Sequence, residues 1–136
     1  MHHPGYYNQY DGTSDDIVKS RWFAEIRKYI CAFCDAHSLR YIHLRVFEIA
    51  SVGTLLLADD LVRKEMGELG FIDGDTCVFC NRENFLEKLD WILAPENRVL
   101  VDRIRRRGME LCRGRHLTAT RAQDLVKLIE TEMRRV

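Results

Sequence analysis

Tyr29-Ile30-Cys31-Ala32-Phe33-Cys34-Asp35 is an unbroken apolar run that stops at a carboxylate. Six residues without polar alternation read as a strand buried on both faces, the kind found in parallel sheets. Two further runs share its form. Thr54-Leu55-Leu56-Leu57-Ala58 is closed by Asp59-Asp60, and Thr76-Cys77-Val78-Phe79-Cys80 is closed by Asn81. Around these runs the apolar period changes to that of helices. Val18, Trp22, Ile26 and Ile30 recur every four residues behind Asp15 and Asp16, either of which can cap a first turn. Leu44 to Ala50 makes a short helix ended by Gly53, and Leu61 to Leu69 makes another with Gly70 as its C-cap. Asp73-Gly74-Asp75 is a turn. Asn81 or Asn84 caps a helix over 85–93, which Pro95 breaks while opening the next, running to about Cys112. Thr120 with Gln123 forms a capping box for the last helix, whose stripe is Leu125, Leu128, Ile129 and Met133.

Strands alternating with helices give an α/β fold: a Rossmann-like three-layer unit with a short parallel sheet of about three strands and C-terminal helices. In open sheets of this kind ligands sit at the carboxyl ends of the strands. Those ends are Asp35 to His43, Ala58 to Asp60 and Cys80 to Asn84. Residues 1–14 are polar, rich in Tyr and Gly and without periodicity, so they read as a flexible tail before a single domain over 15–136.

With 136 residues, 46% apolar and 31% charged, the chain suits one ordinary globular domain. No apolar run approaches the roughly 20 residues that span a bilayer. The start, Met1-His2-His3-Pro4, lacks the basic and then apolar pattern of a signal peptide. A cytoplasmic location is therefore expected, and the five cysteines read as reduced thiols. The zero net charge is unevenly spread. Residues 98–136 hold eleven Lys/Arg against five Asp/Glu, a net +6, and the rest ten against sixteen, a net −6.

The segment His43-Leu44-Arg45-Val46-Phe47-Glu48-Ile49-Ala50-Ser51-Val52-Gly53, running on through the Thr54 strand to Asp59-Asp60, has a recognisable order. It is Arg, apolar, Phe, Glu, small residues, Gly, apolar strand, acidic end. This resembles the donor-site motif of retaining GT-B glycosyltransferases, in the branch described as spore-maturation-protein-type. Gly70 to Phe79, Glu83-Asn84-Phe85-Leu86, Pro95-Glu96-Asn97-Arg98, Gly108 and Arg115-His116-Leu117-Thr118 match later landmarks in order, so that the likeness covers about residues 29–130.

The resemblance implies the nucleotide-binding part of a C-terminal GT-B domain, with a nucleotide-diphospho-sugar donor as substrate. Glu48 would accept hydrogen bonds from the two ribose hydroxyls. His43, Leu44 and Arg45 would supply N–H groups at a helix start, and Arg45 a fork of donors for the diphosphate. Ser38 and Arg40 lie on the same ligand-side loop, together with His37. No metal or other cofactor is expected, because cationic side chains and helix N-termini take the diphosphate in this family. Arg40 stands where the motif has a second acidic residue. The earlier strands of such a domain and the acceptor domain are not in this sequence, which implies one wall of an interdomain cleft and an incomplete enzyme. A homodimer, or a partner chain supplying the missing strands, would complete it. The alternative is a non-catalytic remnant acting as a binding or assembly module.

Two other signals compete. Cys31-Ala-Phe-Cys34 and Cys77-Val-Phe-Cys80 have the spacing of a zinc site. Yet residues three apart on a strand point to opposite faces, and the Thr54 strand should keep the pairs roughly 9–10 Å apart. Arg103, Arg105, Arg106, Arg107, Arg113 and Arg115 resemble a nucleic-acid patch. Val101, Ile104, Met109, Leu111 and Cys112 interleave with them, and no aromatic does, which suits a surface helix with a solvated basic face. No nucleic-acid partner is expected. His116 reads as a structural residue that positions the last helix.

Overall fold

The computed structural model describes residues 15–36 and 39–135. Helix α1 is Asp15–Ile26, followed by strand β1 at Cys31–Cys34, helix α2 at Leu44–Ser51 and strand β2 at Leu55–Asp59. A 3-10 turn, Asp60–Val62, leads into α3 at Arg63–Glu68, and β3 is Val78–Cys80. Helix α4 is Phe85–Leu93, a second 3-10 turn is Pro95–Asn97, α5 is Arg98–Arg115 and α6 is Thr118–Met133. The three strands are parallel in the order β1-β2-β3, with Cys31 beside Leu55 and Leu57 beside Val78.

Alternation along β2 divides the core between the two faces of the sheet. Leu56 and Ala58 join Val46, Ile49, Ala50, Met66 and Phe79 on the side of α2 and α3. Leu55 and Leu57 join Val78, Ile92, Val101 and Ile104 on the side of α4 and α5. Every residue from Leu55 to Ala58 is buried, which accounts for the continuous apolar run.

β1, β3 and α6 differ from the sequence reading. β1 is shorter than 29–34 and is not buried on both faces: Phe33 is 47% exposed. The reason is its place at the edge of the sheet, with β2 on one side and no described strand on the other. β3 starts at Val78, because Thr76 is held in the preceding turn. Its hydroxyl accepts from the Ile72 amide at 2.7 Å and donates to the Gly70 carbonyl at 3.0 Å. α6 starts at Thr118 with Leu117 as N-cap and no side-chain cap, so the Thr120–Gln123 box is not made. Thr120 already lies inside the helix.

Several basic residues of α5 have structural partners. Arg105 and Arg113 donate to the carbonyls of Gly53 and Ser51, at 2.6 and 3.0 Å, and so satisfy acceptors at the C-terminal end of α2. Arg107 pairs with Asp75 at 2.6 Å. His116 ties the start of α6 to the body: its Nε2 lies 2.8 Å from the Leu69 carbonyl, and its ring stacks on Phe71. Among the described residues, no helix is long and apolar enough to cross a membrane.

Candidate functional site

The carboxyl ends of the three strands are tied together by side chains. Asp59, the last residue of β2, accepts from the Leu61 amide at 3.0 Å and from the Ala36 amide, in the loop after β1, at 3.5 Å. Asp60 accepts from the Asn81 side-chain amide at 3.2 Å. Asn81 and Asn84 then bond each other's backbone: Asn84 Oδ1 takes the Asn81 amide at 2.8 Å and Asn81 Oδ1 takes the Asn84 amide at 3.0 Å. These bonds fix the floor of a cleft of about 350 Å³ lined by Phe33, Asp59, Cys80, Asn81, Arg82 and Phe85. Phe33 and Phe85 meet edge to face there, with centroids 5.2 Å apart.

A second cluster forms across the sheet, at the amino end of α2. His43 is the N-cap residue, extended at φ −72 and ψ 149, and its carbonyl accepts the Val46 amide at 3.1 Å. Its Nε2 lies 4.0 Å from Asp35. Glu48, one turn into the helix, points toward α1: the Trp22 indole N–H donates to Glu48 Oε2 at 3.3 Å. The Arg45 guanidinium lies over the same indole, 5.9 Å from the ring centroid. Arg40 is exposed and adopts a left-handed backbone, φ 53. Ser38 and His37 lie outside the described residues.

The structure thus gathers Arg45, Glu48 and His43 around the start of α2, with Arg40 on the adjoining loop. It does not bring Glu48 into the cleft. Successive residues of β1 face opposite sides. Phe33 turns to α4, whereas Cys34 joins the core beneath α2. Burial pushes the Cys34 thiol up to about 11, helped by the negative charges of Asp35 and Glu48. Burial does the same to Cys80, also up to about 11, with Asp59 and Asp60 adding to it. Both thiols are protonated at neutral pH, which leaves them poor nucleophiles. The order of the sheet keeps Cys31 and Cys34 on one outer strand and Cys80 on the other. No cluster of three or more metal-ligating side chains is found among the described residues.

A family model described as glycosyl transferase-like matches residues 14–127. The chain belongs to the glycosyl transferase-like family. No curated protein and no solved structure matches it. The family match runs from α1 into α6 and includes the whole sheet and both clusters. Sequence reasoning named Asp59, Asp60 and Asn81 as strand ends of this glycosyl transferase-like chain but gave them no role in a site. The signal was an acidic or amide residue directly after each buried strand. Trp22 was visible only as one member of an apolar stripe, and nothing local announces a bond to a residue 26 positions away.

Proposed function

We propose that the chain binds a nucleotide-diphospho-sugar at the amino end of α2, as the donor half of a GT-B site. The observation that carries this reading is the gathering of Arg45 and Glu48 on the first turns of α2, within a chain whose family match spans 14–127. Glu48 takes the ribose hydroxyls, and Arg45 with the first amides of α2 takes the diphosphate. His43 and Arg40 flank the same site, and Ser38, close to them in sequence, is assigned to it with them. Cationic groups and helix amides already neutralise the phosphates, so no metal is required. Glycosyl transfer then depends on another domain or chain to close the cleft. Five free thiols suit a reducing compartment, and we assign the chain to the cytoplasm on that ground.

A second reading is favoured by one observation. Arg40 occupies the position of the motif's other acid, which suits a module that binds without turnover. Calorimetry with UDP, GDP and their sugars tests both. Glu48→Ala and Arg45→Ala should each weaken binding by about 1.5–3 kcal/mol, the worth of a charge-assisted hydrogen bond. Unchanged affinity in both variants rules out this placement. Donor hydrolysis or transfer by the isolated chain rules out the non-catalytic module.

A further inference from the structure

Helix α6 presents its apolar side to solvent. None of its described residues is buried. Leu125 is 57% exposed, Val126 54%, Leu128 58%, Ile129 50% and Met133 73%. At helical spacing Ala122, Leu125, Val126, Ile129 and Met133 share one side. Away from the stripe the first two turns approach the body of the protein, while every residue from Arg121 to Met133 is exposed. Thr120, Arg121 and Asp124 line a notch of about 290 Å³ with Leu69, Arg115 and His116. A helix packed on its own core does the reverse, so this stripe is left for another surface.

We propose that α6 pairs antiparallel with α6 of a second copy of this chain. The charges choose the occupant. Residues 118–135 carry Arg121, Lys127, Arg134 and Arg135 against Asp124, Glu130 and Glu132, a mixed set with a net of only +1. That suits a protein surface of mixed sign better than an anionic membrane. Arg121 and Glu132 are three turns apart on one flank of the stripe. An antiparallel pair sets each Arg121 against Glu132 of the other copy, twice by symmetry, whereas a parallel pair brings opposite flanks together and makes neither contact. With the crossing between Val126 and Lys127, Leu125 of each copy meets Leu128 of the other.

Analytical ultracentrifugation of the full chain over a concentration series tests this. The expected result is a reversible dimer. Ile129→Asp should abolish it without changing the circular dichroism, since no described residue of α6 is buried in the monomer. Arg121→Glu should raise the dissociation constant about tenfold, because two symmetry-related contacts turn repulsive. Adding Glu132→Arg to it should restore the dimer. The proposal is overturned by a wild type that stays monomeric throughout, by a dimer that Ile129→Asp leaves intact, or by a double variant no tighter than Arg121→Glu alone. It is equally overturned by a monomer whose stripe drives binding to anionic phosphatidylserine vesicles.

Discussion

Gly108 of α5 lies so close to the Thr76 carbonyl that a β-carbon added to it would stand 2.4 Å from the oxygen. The contact seats the middle of α5 on the turn that leads into β3, and no side chain can replace the hydrogen without moving one of two backbones. Gly108→Ala should therefore destabilise the fold by about 1–3 kcal/mol, the usual cost of overpacking. Gly67 in α3 has nothing within 4 Å of such a carbon. Gly67→Ala should stabilise by about 0.5–1 kcal/mol through helix propensity. Urea denaturation of the two variants beside wild type checks the pair. Equal midpoints would mean that the close approach at Gly108 has no energetic weight.

The apolar runs made the strands and their parallel order legible, because only strands buried on both faces carry so many consecutive apolar residues. β2 fits this fully and β3 nearly so. β1 misled, since Phe33 is apolar for its contact with Phe85 while remaining at an open edge. Edge position depends on which strands are neighbours, and no local pattern encodes that. The landmark residues Arg45 and Glu48 were legible through family order. Their partner Trp22 was not, because α1 reaches α2 only through the tertiary fold. The amphipathic period of α6 was equally plain, but a period says which residues share a side and not which way that side faces.

If the donor binds as proposed, the bond from Trp22 to Glu48 gives that binding an optical signature. A ribose on Glu48 must compete with the indole N–H or rearrange it, and the Arg45 guanidinium over the ring would shift as it engages phosphate. In a Trp91→Phe background, UDP or GDP should change the emission of Trp22 in a saturable manner. Trp22→Phe should alter nucleotide affinity by about 0.5–1.5 kcal/mol, the net worth of one hydrogen bond. Saturable binding by calorimetry with no change in emission would place the ligand away from Glu48.

The buried thiols predict a loss of stability in alkali. Burial raises Cys34 and Cys80 from 9.0 to about 11 and Cys112 from 9.0 to about 12. Between those values the unfolded chain has released protons that the folded chain still holds, so rising pH favours unfolding. The stabilisation is complete below pH 9 and is lost as pH climbs toward 11 and 12. Each such thiol contributes a slope of about 1.4 kcal/mol per pH unit within that window. Urea titrations at pH 7, 9 and 10 should show the decline, and Cys112→Ala should make it shallower even though it is less stable at pH 7. An identical slope in the variant would assign the decline to other groups.

Zinc should not hold this fold together. β2 stands between the strand carrying Cys31 and Cys34 and the strand carrying Cys80, and Cys34 is beside Ala58 whereas Cys80 is beside Asp59. One tetrahedral ion needs its sulfurs about 2.3 Å away. Elemental analysis of purified protein should give less than one equivalent of zinc, and chelators should leave the melting temperature in place. One full equivalent together with unfolding on chelation would mean that the cysteines regroup around the metal.

The remaining expectation concerns the free side of β1. Its only described strand neighbour is β2. Residues 31–34 offer no Pro, Lys or inward charge to discourage pairing, and Phe33 leaves half of its surface in water. Such an edge pairs with another chain, receives strands from a partner, or is covered by residues 1–14, which lie outside the described residues. Phe33→Lys is a poor probe because it also disturbs the contact with Phe85. Deleting residues 1–14 is better, and doing so in the Ile129→Asp background removes any association through α6. Light scattering should then show the shortened protein associating or aggregating more than its full-length counterpart if the tail is the cover. Self-association of both proteins through the edge would mean that the tail does not reach it. If both remain stable monomers at every concentration, the edge is protected by its own shortness, and the argument from its apolar residues fails.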